Sequence, residues 1–311
     1  MTDGPREATC RVTVLVVTWQ GRDLLPPCLD SLARQTVPHR VVVVDNASTD
    51  GTAELLADRY PHVRVVRNPE NRGFAGGVAA GLAVVDTPLV ALLNNDAVAE
   101  PDWLAHLVAS LDTHPEAAAV TSRLLLADVR PPTLNNAGVV LLDDGYGADR
   151  GLGAPADQFP EPDEVFGFSG GAALLRLDAV RGVGGFPEPF FLYYEDTDTS
   201  WRLRQAGWSV RYEPSAVVHH RHSATADQTS ADFAYWNERN RLLMHVRCAP
   251  ATAAMAVWAR FLLTTISLLG RRLTGAPRPA AHQQRLRLRL RTLGGAVRLL
   301  PWALRSRRRT G

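Results

Sequence analysis

The chain of 311 residues is long enough to form one large α/β domain with an appendage, or two small domains. Hydrophobic residues make up 46% of it and charged residues 21%, which excludes a fibrous or wholly disordered protein. Residues 1–250 contain 21 Arg and 32 acidic residues, a net charge of −11, whereas residues 251–311 contain thirteen Arg and no acidic residue. An acidic body is therefore followed by a basic tail.

Four short apolar runs, each bounded by polar or Gly- and Pro-containing segments, predict strands that are buried on both faces of a sheet. They are Val12–Val17, Val41–Val44, Val63–Val66 and Leu89–Leu93. Stretches compatible with helices lie between them, at Arg22–Arg34, Ala53–Arg59 and Phe74–Val85. This alternation predicts a mostly parallel, Rossmann-like sheet with flanking helices, whose ligands bind at the carboxyl ends of the strands.

The second half of the body is less regular. Residues 128–165 are rich in Pro, Gly and Asp, which predicts a long irregular excursion that we interpret as an acceptor-side loop region. A regular element resumes at residues 168–175, Phe-Ser-Gly-Gly-Ala-Ala-Leu-Leu. Trp208–Val218 then has the pattern of a short strand that returns to the site.

The tail begins with a largely apolar stretch, Ala251–Gly270, which is interrupted by Arg260 and followed by an Arg-rich segment. Twenty residues can span a bilayer, but a central Arg costs about 2.5 to 3.5 kcal/mol on insertion scales. We therefore expect a basic amphipathic helix in the membrane interface, and the alternative is a helical cap on the main domain. Five apolar side chains can share one face of this helix: Val257, Phe261, Leu262, Ile266 and Leu269.

Cysteine usage and the N-terminal residues bear on location. Cys10, Cys28 and Cys248 are an odd number without Cys-x-x-Cys spacing, which favours a reducing compartment over a disulfide framework. Residues 1–11 contain charges and a Pro but no apolar run of signal-peptide length. We therefore expect the body of the protein to be cytoplasmic.

The segment Val41-Val-Val-Val-Asp-Asn-Ala-Ser-Thr-Asp-Gly-Thr places an acidic residue, Asp45, at the end of a buried strand. Such a carboxylate can accept hydrogen bonds from a nucleobase or a ribose. The alternative is a capped turn, in which Asp45 and Ser48 satisfy backbone donors and Gly51 supplies a positive φ.

Together with Val14-Leu-Val-Val-Thr-Trp-Gln, Cys28-Leu-Asp-Ser-Leu-Ala-Arg-Gln and Asn71-Arg-Gly-Phe-Ala-Gly-Gly, this segment resembles glycosyltransferase family 2 in order and spacing. The resemblance extends from about residue 12 to about residue 245 and implies a GT-A fold that binds a nucleotide-diphosphate sugar. It implies that Thr18 and Trp19 line the base pocket, that Asp45 contacts the nucleobase, and that Asn71 and Gly73 lie near the nucleotide. The sequence departs from the family at Gln20, where Asn is usual, and at Val78-Ala79.

Leu92-Leu-Asn-Asn-Asp-Ala occupies the place of the family's Asp-x-Asp motif. The resemblance implies that Asp96 holds a divalent metal, Mg²⁺ or Mn²⁺, against the donor diphosphate, with Asn94 and Asn95 beside the donor. Because Asn94 replaces the first acid, the diphosphate itself must supply most of the negative charge around the ion. The alternative is that Asp96 caps the turn after its strand.

The block from Gly185 contains Tyr-Tyr-Glu-Asp-Thr-Asp, and acids crowd the first turn of a helix predicted from Glu195. Arg202 follows Asp198 by four residues, and Gly207 is the expected stop. The resemblance makes Asp196 the base that deprotonates the acceptor hydroxyl, with Glu195 beside it, so that in-line attack inverts the anomeric centre. We expect the helix N–H groups to lower the pKa of Asp196. The alternative is that these acids only complement the helix dipole.

His219-His220-Arg221-His222 follows the returning strand. Several members of the family place a His here, and the resemblance implies that an imidazole completes the metal shell. The distance to Ser223 favours His220 over His219, and the alternative is a solvated histidine cluster.

Within the family the chain resembles bacterial rhamnosyltransferases that act on polyprenyl-diphosphate-linked acceptors. This implies a dTDP-rhamnose donor and a lipid-linked or polysaccharide acceptor in cell-wall or surface-glycan synthesis. The expected organisation is a GT-A domain at 1–250, with a nucleotide-binding half at 11–97 and an acceptor half at 98–250, and a tail at 251–311. The tail predicts a peripheral protein on the anionic inner face of the cell membrane.

The sequence disfavours three other functions. A noncatalytic nucleotide-sugar-binding scaffold is disfavoured by the presence of Glu195 and Asp196. Nucleic-acid binding is disfavoured because no aromatic residues interleave with the basic run and the acidic body repels phosphate. A sugar nucleotidyltransferase is disfavoured because the N-terminal region has no Gly-rich loop with a basic residue for a triphosphate.

Overall fold

The computed structural model describes residues 10–221, 230–273 and 281–307 of the chain. His222 and residues 274–280 and 308–311 of the predicted tail lie outside these ranges. The chain divides into two compact units. The first unit comprises Met1–Val140, Ala148–Phe191 and Glu195–His222, and the second comprises Leu141–Gly147, Leu192–Tyr194 and Ser223–Gly311.

The strands, in chain order, are β1 (Val12–Thr18), β2 (His39–Asp45), β3 (Arg64–Arg67), β4 (Leu89–Leu93), β5 (Ala97–Ala99), β6 (Ala117–Leu126), β7 (Leu134–Asn136), β8 (Val139–Leu141), β9 (Gly147–Asp149), β10 (Asp163–Glu164), β11 (Ala172–Arg176) and β12 (Ser209–His220). The helices are α1 (Leu25–Leu32), α2 (Thr52–Arg59), α3 (Gly73–Leu82), α4 (Trp103–Thr113), α5 (Leu177–Gly182), α6 (Glu195–Gln205), α7 (Ala231–Cys248), α8 (Ala251–Leu273) and α9 (Ala281–Arg307). A short 3₁₀ helix covers Glu188–Phe190.

The first unit is built on a ten-stranded sheet in the order β10-β12-β6-β11-β4-β1-β2-β3, with β5 paired to β12 and β7 to β6. The four strands predicted from apolar runs, β1 to β4, are mutually parallel. β11 lies between β4 and β6 and is antiparallel to both, while β12 is parallel to β6. The prediction of an α/β fold with a mostly parallel sheet and flanking helices is confirmed.

Side chains of the central strands pack on both faces of the sheet, as continuous apolar runs require. Val14 and Val16 of β1 join a core with α1 and α4. Leu15, which points to the opposite face, joins a second core with α3 and α5. Burial on both faces explains why these strands contain β-branched residues without polar alternation.

The region predicted as an irregular excursion contains the short strands β7 to β10. α6 begins at Glu195, as predicted, and Arg202 contacts Asp198 at 2.7 Å with both side chains buried. Gly207, the predicted stop, has φ of 89°. The local helix signals were therefore sufficient to place α6.

The second unit contains α7, α8 and α9, which share a small core formed by Leu242, Phe261 and Ala296. The sequence placed α7 with the catalytic body and began the tail at residue 251, whereas the three helices group together here. α8 is confirmed as a helix, but the predicted apolar face is split. Phe261 is buried in the core, while Leu262, Ile266 and Leu269 are exposed, because α8 packs against its two neighbouring helices.

Candidate active site

The carboxyl ends of β1 and β2 bring two predicted residues side by side. Thr18 and Asp45 are register partners, and the backbone N–H of Asn46 donates to the carbonyl of Thr18 at 2.9 Å. Thr18 is buried, whereas the next residue, Trp19, is 48% exposed. An exposed aromatic ring at the carboxyl edge of a parallel sheet is suitably placed for stacking on a planar ligand.

Asp45 is buried and makes the capped turn that the alternative interpretation predicted. Its Oδ1 accepts a hydrogen bond from the backbone N–H of Ser48 at 2.9 Å, and Gly51 has φ of 91°. Its Oδ2 lies 3.5 Å from Nε of Arg67 and has no hydrogen-bond partner among the described residues. Because a buried carboxylate oxygen without a donor is costly, Oδ2 is the atom for which a ligand donor would be favourable.

Asn71 and Gly73 form the turn that starts α3. Oδ1 of Asn71 accepts from the N–H of Gly73 at 2.9 Å, and Gly73 has φ of 66°. A Cβ at this position would lie 2.2 Å from the carbonyl oxygen of Phe191. Asn46, which the sequence did not single out, donates from Nδ2 to the carbonyl of Gly73 at 2.9 Å. Gly73 is therefore required by a close backbone approach, independently of any ligand.

The end of β4 is tied to β1 and β11. Nδ2 of Asn95 donates to Oγ1 of Thr18 at 2.9 Å, and the N–H of Asn94 donates to the carbonyl of Gly171 at 2.9 Å. The motif Asn94-Asn95-Asp96 thus lies at the same edge of the sheet as Thr18, as predicted. Asn95 and Asp96 are both buried.

His220 faces this motif and His219 does not. Nε2 of His220 lies 3.0 Å from Oδ1 of Asp96 and 3.2 Å from Nδ2 of Asn94. Successive side chains of β12 point to opposite faces, so His219 is partly exposed and contacts Glu100 at 2.8 Å. The sequence preference for His220 therefore agrees with the geometry, although its role as a ligand stays a prediction.

The donor set at Asp96 and His220 fits a divalent cation. Two donor atoms at about 2.1 Å from an octahedral ion lie about 3.0 Å apart, which is the separation observed here. Nδ1 of His220 lies 2.6 Å from Oδ1 of Asn135, and in the tautomer that donates this hydrogen bond Nε2 is the nitrogen that can bind a cation. Within the described ranges no group of three or more His, Cys, Asp or Glu side chains forms, so further ligands must come from elsewhere.

Asp196 is held by two backbone donors. The N–H of Gly170 donates to Oδ2 at 2.9 Å, and the N–H of Thr197 donates to Oδ1 at 2.6 Å. The predicted decrease in its pKa was wrong, although the N–H of Thr197 does act in that direction. Desolvation raises the pKa of Asp196 and outweighs these hydrogen bonds, and the nearby charge of Asp149 adds to the increase. A carboxylate with a raised pKa is a stronger base.

Glu195 lies beside Asp196 but has a different environment. It is 5% exposed, and its Oε2 has no hydrogen-bond partner among the described residues. Desolvation, followed by the charge of Asp196, raises the pKa of Glu195 well above its usual range. The pair therefore consists of one hydrogen-bonded carboxylate and one buried carboxyl group that favours its protonated form.

Gly170 and Gly171 connect the two halves of the site, and the sequence did not identify them as functional. Gly170 donates to Asp196, and Gly171 accepts from Asn94. A Cβ on Gly170 would lie 2.9 Å from the ring of Phe74, and one on Gly171 would lie 3.4 Å from Nδ2 of Asn94. The signal that could have found them is the Gly-Gly pair immediately before β11.

Comparison with known proteins places this chain in a family. The sequence profile of glycosyl transferase family 2 matches residues 13–184. The N-acetylglucosaminyl-diphospho-decaprenol L-rhamnosyltransferase of Mycobacterium tuberculosis is 33% identical over 243 residues, which cover 70% of this chain and 78% of that one. An O-antigen chain rhamnosyltransferase of Salmonella typhimurium is 28% identical over 220 residues, covering 69% and 68%.

The fold is also similar to that of solved glycosyltransferases. A mannosyltransferase from Pyrobaculum calidifontis, solved with GDP-Man and Mn²⁺, superimposes with a TM-score of 0.55 at 21% sequence identity. The match covers 94% of this chain and 87% of that one. The resemblance inferred from the strand-end motifs is confirmed: the chain has a GT-A type fold and belongs to glycosyl transferase family 2.

Proposed function

We propose that this chain transfers a sugar from a nucleotide-diphosphate donor to a hydroxyl group of a polyprenyl-diphosphate-linked acceptor, with inversion at the anomeric carbon. The names of the two rhamnosyltransferase relatives support rhamnose as the sugar and a lipid-linked glycan as the acceptor. We take dTDP-rhamnose as the donor. The product class is a cell-wall or surface glycan. The alternative, a noncatalytic nucleotide-sugar-binding scaffold, leaves the arrangement around Asp196 without a use.

That arrangement is the observation that carries the proposal. Asp196 has a fixed orientation and a raised pKa, and the Gly170–Gly171 backbone connects it to the end of β4, where Asp96 and His220 meet. A base placed next to a diphosphate-binding edge is the combination that glycosyl transfer by direct displacement requires.

In the proposed reaction, Oδ of Asp196 removes the proton from the acceptor hydroxyl as its oxygen attacks the anomeric carbon of the donor sugar. A new carbon–oxygen bond forms, the bond to the diphosphate oxygen breaks, and the electron pair leaves with the nucleoside diphosphate. The proton remains on Asp196 until it is released to solvent. A single displacement places the acceptor on the face opposite the leaving group, so the configuration is inverted.

Asp96 and His220 would hold Mg²⁺ or Mn²⁺, and a bound ion would stabilise the negative charge of the leaving diphosphate. The fit of the donor pair, together with the Mn²⁺ in the structure of the mannosyltransferase, supports this assignment. Asn135 would orient the His220 ring. The remaining ligands would be oxygen atoms of the donor diphosphate.

We assign donor binding to residues 11–97 and acceptor binding to residues 98–250. Oδ2 of Asp45 is available for a nucleobase N–H, and the exposed ring of Trp19 for stacking on the base. The other residues in the proposed donor site are Thr18, Asn71, Gly73, Asn94 and Asn95.

We also propose that α8 docks on the cytoplasmic face of a membrane. Of the described helices, Ala251–Arg271 is the one that is long and apolar enough to cross a bilayer, and 17% of that stretch is buried. Its exposed apolar side chains are Met255, Leu262, Leu263, Ile266 and Leu269. The absence of acidic residues from 251–311 favours anionic headgroups.

The deciding experiment is a transfer assay with the purified chain, a panel of nucleotide sugars and N-acetylglucosaminyl-diphospho-polyprenol as acceptor, with Mn²⁺ present. We expect transfer from dTDP-rhamnose, and an inverted linkage when the product is analysed by NMR. Transfer from a different nucleotide sugar would replace rhamnose in the proposal. Binding of a nucleotide sugar without transfer to any lipid-linked acceptor would favour the scaffold alternative.

A further inference from the structure

The backbone immediately before α6 has a conformation that its residues do not favour. Phe191, Tyr193 and Tyr194 have φ of 67°, 70° and 70°, in the left-handed region that aromatic residues rarely adopt. Such a conformation persists only where the surrounding structure holds it. The next residue is Glu195, which starts α6.

Asn240 of α7 holds two carbonyl groups of this segment. Its Nδ2 donates to the carbonyl oxygens of Leu192 and Tyr193, both at 2.8 Å, and its side chain is fully buried. Its Oδ1 accepts from Nε and Nη2 of Arg239 at 2.9 and 2.7 Å. A side-chain amide offers two donors and two acceptor sites, and these hydrogen bonds engage both its nitrogen and its oxygen. Because a guanidinium group can only donate, Arg239 fixes the orientation of the amide.

Two further contacts hold the same segment. The ring of Tyr193 meets the ring of Phe233 edge to face, with centroids 4.9 Å apart. The hydroxyl of the buried Tyr194 accepts a hydrogen bond from the N–H of Gly147 at 3.2 Å. Asn240 differs from both contacts because it binds the backbone itself, at two successive carbonyls.

We propose that Asn240 is a positioning residue for glycosyl transfer, which holds Leu192 and Tyr193 so that the first turn of α6 presents Asp196 in its reactive position. This inference rests on the proposed function, since it assumes that Asp196 is the base. Asn240 does not contact the reacting atoms in this scheme. It acts through the backbone that leads into Glu195.

The sharpest test is Asn240→Asp. This change keeps the side-chain size and the acceptor for Arg239, but it replaces both amide donors by a carboxylate oxygen facing two carbonyl oxygens. We expect kcat to fall about a hundredfold while the KM for the sugar nucleotide changes less than about threefold, because a displaced base affects catalysis more than donor binding. Hydrogen exchange of the backbone amides at 194–198 should become faster in the variant.

The matched control is His245→Gln, since His245 is another buried polar residue of α7 and its Nδ1 contacts the carbonyl of Arg241, one turn earlier. If His245→Gln lowers the Tm as much as Asn240→Asp does but retains the wild-type kcat, destabilisation of α7 alone does not explain the fall in kcat of Asn240→Asp. Equal kcat values for the two variants, or unchanged exchange at 194–198 in Asn240→Asp, would overturn the inference.

Failure of the proposed function and failure of the Asn240→Asp variant to fold can each be distinguished from failure of this inference. If the wild-type chain transfers no sugar, the proposed function fails, and hydrogen exchange alone decides whether Asn240 positions the turn. If Asn240→Asp does not fold, Asn240→Ala removes both donors without adding a charge. Its kcat and exchange rates are then compared with those of His245→Gln. A lower kcat together with faster exchange at 194–198 supports the inference, and equal kcat values or unchanged exchange overturn it.

Discussion

Nε2 of His220 lies 3.0 Å from Oδ1 of Asp96, although the two residues are 124 positions apart in the chain. β12 brings them together, because His220 pairs with Ala97 next to Asp96. His219, one residue earlier, faces away and contacts Glu100. The chain therefore contains a histidine in the site and a natural control histidine beside it.

The first prediction concerns the metal. Asp96→Ala and His220→Ala should each lower kcat by about a hundredfold or more. Each change removes a ligand atom for the cation that would stabilise the negative charge of the leaving diphosphate. His219→Ala should retain wild-type activity. The measurement is steady-state transfer across a Mn²⁺ titration, and full wild-type activity in excess chelator would remove the metal from the mechanism.

The second prediction concerns the base. Asp196→Asn should lower kcat by about 10² to 10⁴-fold while the donor Kd stays near the wild-type value, because only proton removal is lost. Single-turnover transfer and calorimetric donor binding measure the two quantities. Asp178→Asn, a change at an exposed acid on α5, is the control. Residual turnover within about tenfold of wild type would contradict the assignment of Asp196.

The third prediction follows from the raised pKa of Asp196. A protonated Asp196 cannot accept a proton, so transfer should fall as the pH decreases through the pKa of this group. Because desolvation raises that pKa, the acidic limb of kcat/KM should lie above the ordinary Asp value of about 3.9. A limb at or below that value, measured over a range where the protein stays folded, would show that Asp196 is not the titrating base.

The fourth prediction concerns stability at Glu195. Burial raises its pKa in the folded state, so its contribution to stability is fully present below the unfolded pKa of about 4.3 and is lost as the pH rises toward the folded value. Glu195→Gln cannot ionise. It should therefore raise the Tm by about 2 °C or more at pH 8 and change it little near pH 4.5. Thermal unfolding at the two pH values tests this, and an equal Tm difference at both would contradict it.

The fifth prediction concerns the membrane. The double change Leu263→Ser and Ile266→Ser removes two exposed apolar side chains of α8 and should weaken binding to anionic vesicles about tenfold. Leu142→Ser, at an exposed leucine outside the helices of the second unit, should have no such effect. Vesicle co-sedimentation at low and high salt measures the binding of both variants. We expect partial release of the protein from the vesicles at high salt, because salt screens the attraction between the Arg side chains and anionic headgroups.

Point changes test this surface better than removal of residues 271–311. α9 shares a core with α7 and α8 through Ala296, and Arg289 donates to the carbonyl of Phe261 at 2.6 Å. A truncated chain would expose this core and aggregate for reasons unrelated to lipid. Unchanged vesicle binding of the α8 double variant would contradict the proposal that the exposed apolar side chains of α8 contact the membrane.

Features encoded over short sequence distances were predictable. The apolar runs identified β1 to β4, and β1 and β4 are buried on both faces as such runs predict. The same expectation was wrong for β3, which lies at the edge of the sheet with Val65 43% exposed. The start of α6 and its contact between Asp198 and Arg202 followed from local helix rules. The order of strand-end motifs was enough to identify the family, and it placed Thr18, Asp45 and Asn94–Asp96 at one edge of the sheet.

Other features depend on neighbours that are distant in sequence, and only the tertiary structure decided them. The helix N–H groups at the start of α6 predicted a lowered pKa for Asp196, but desolvation by surrounding elements reversed the direction. Phe261 fits an exposed amphipathic stripe by its spacing, yet α7 and α9 bury it. Asn135 and Asn240 carry no local signal, because each acts on a residue brought to it by the fold. The periodicity of a sequence indicates the conformation of one segment. The desolvation of a group and its hydrogen-bond partners depend instead on all the residues that pack around it.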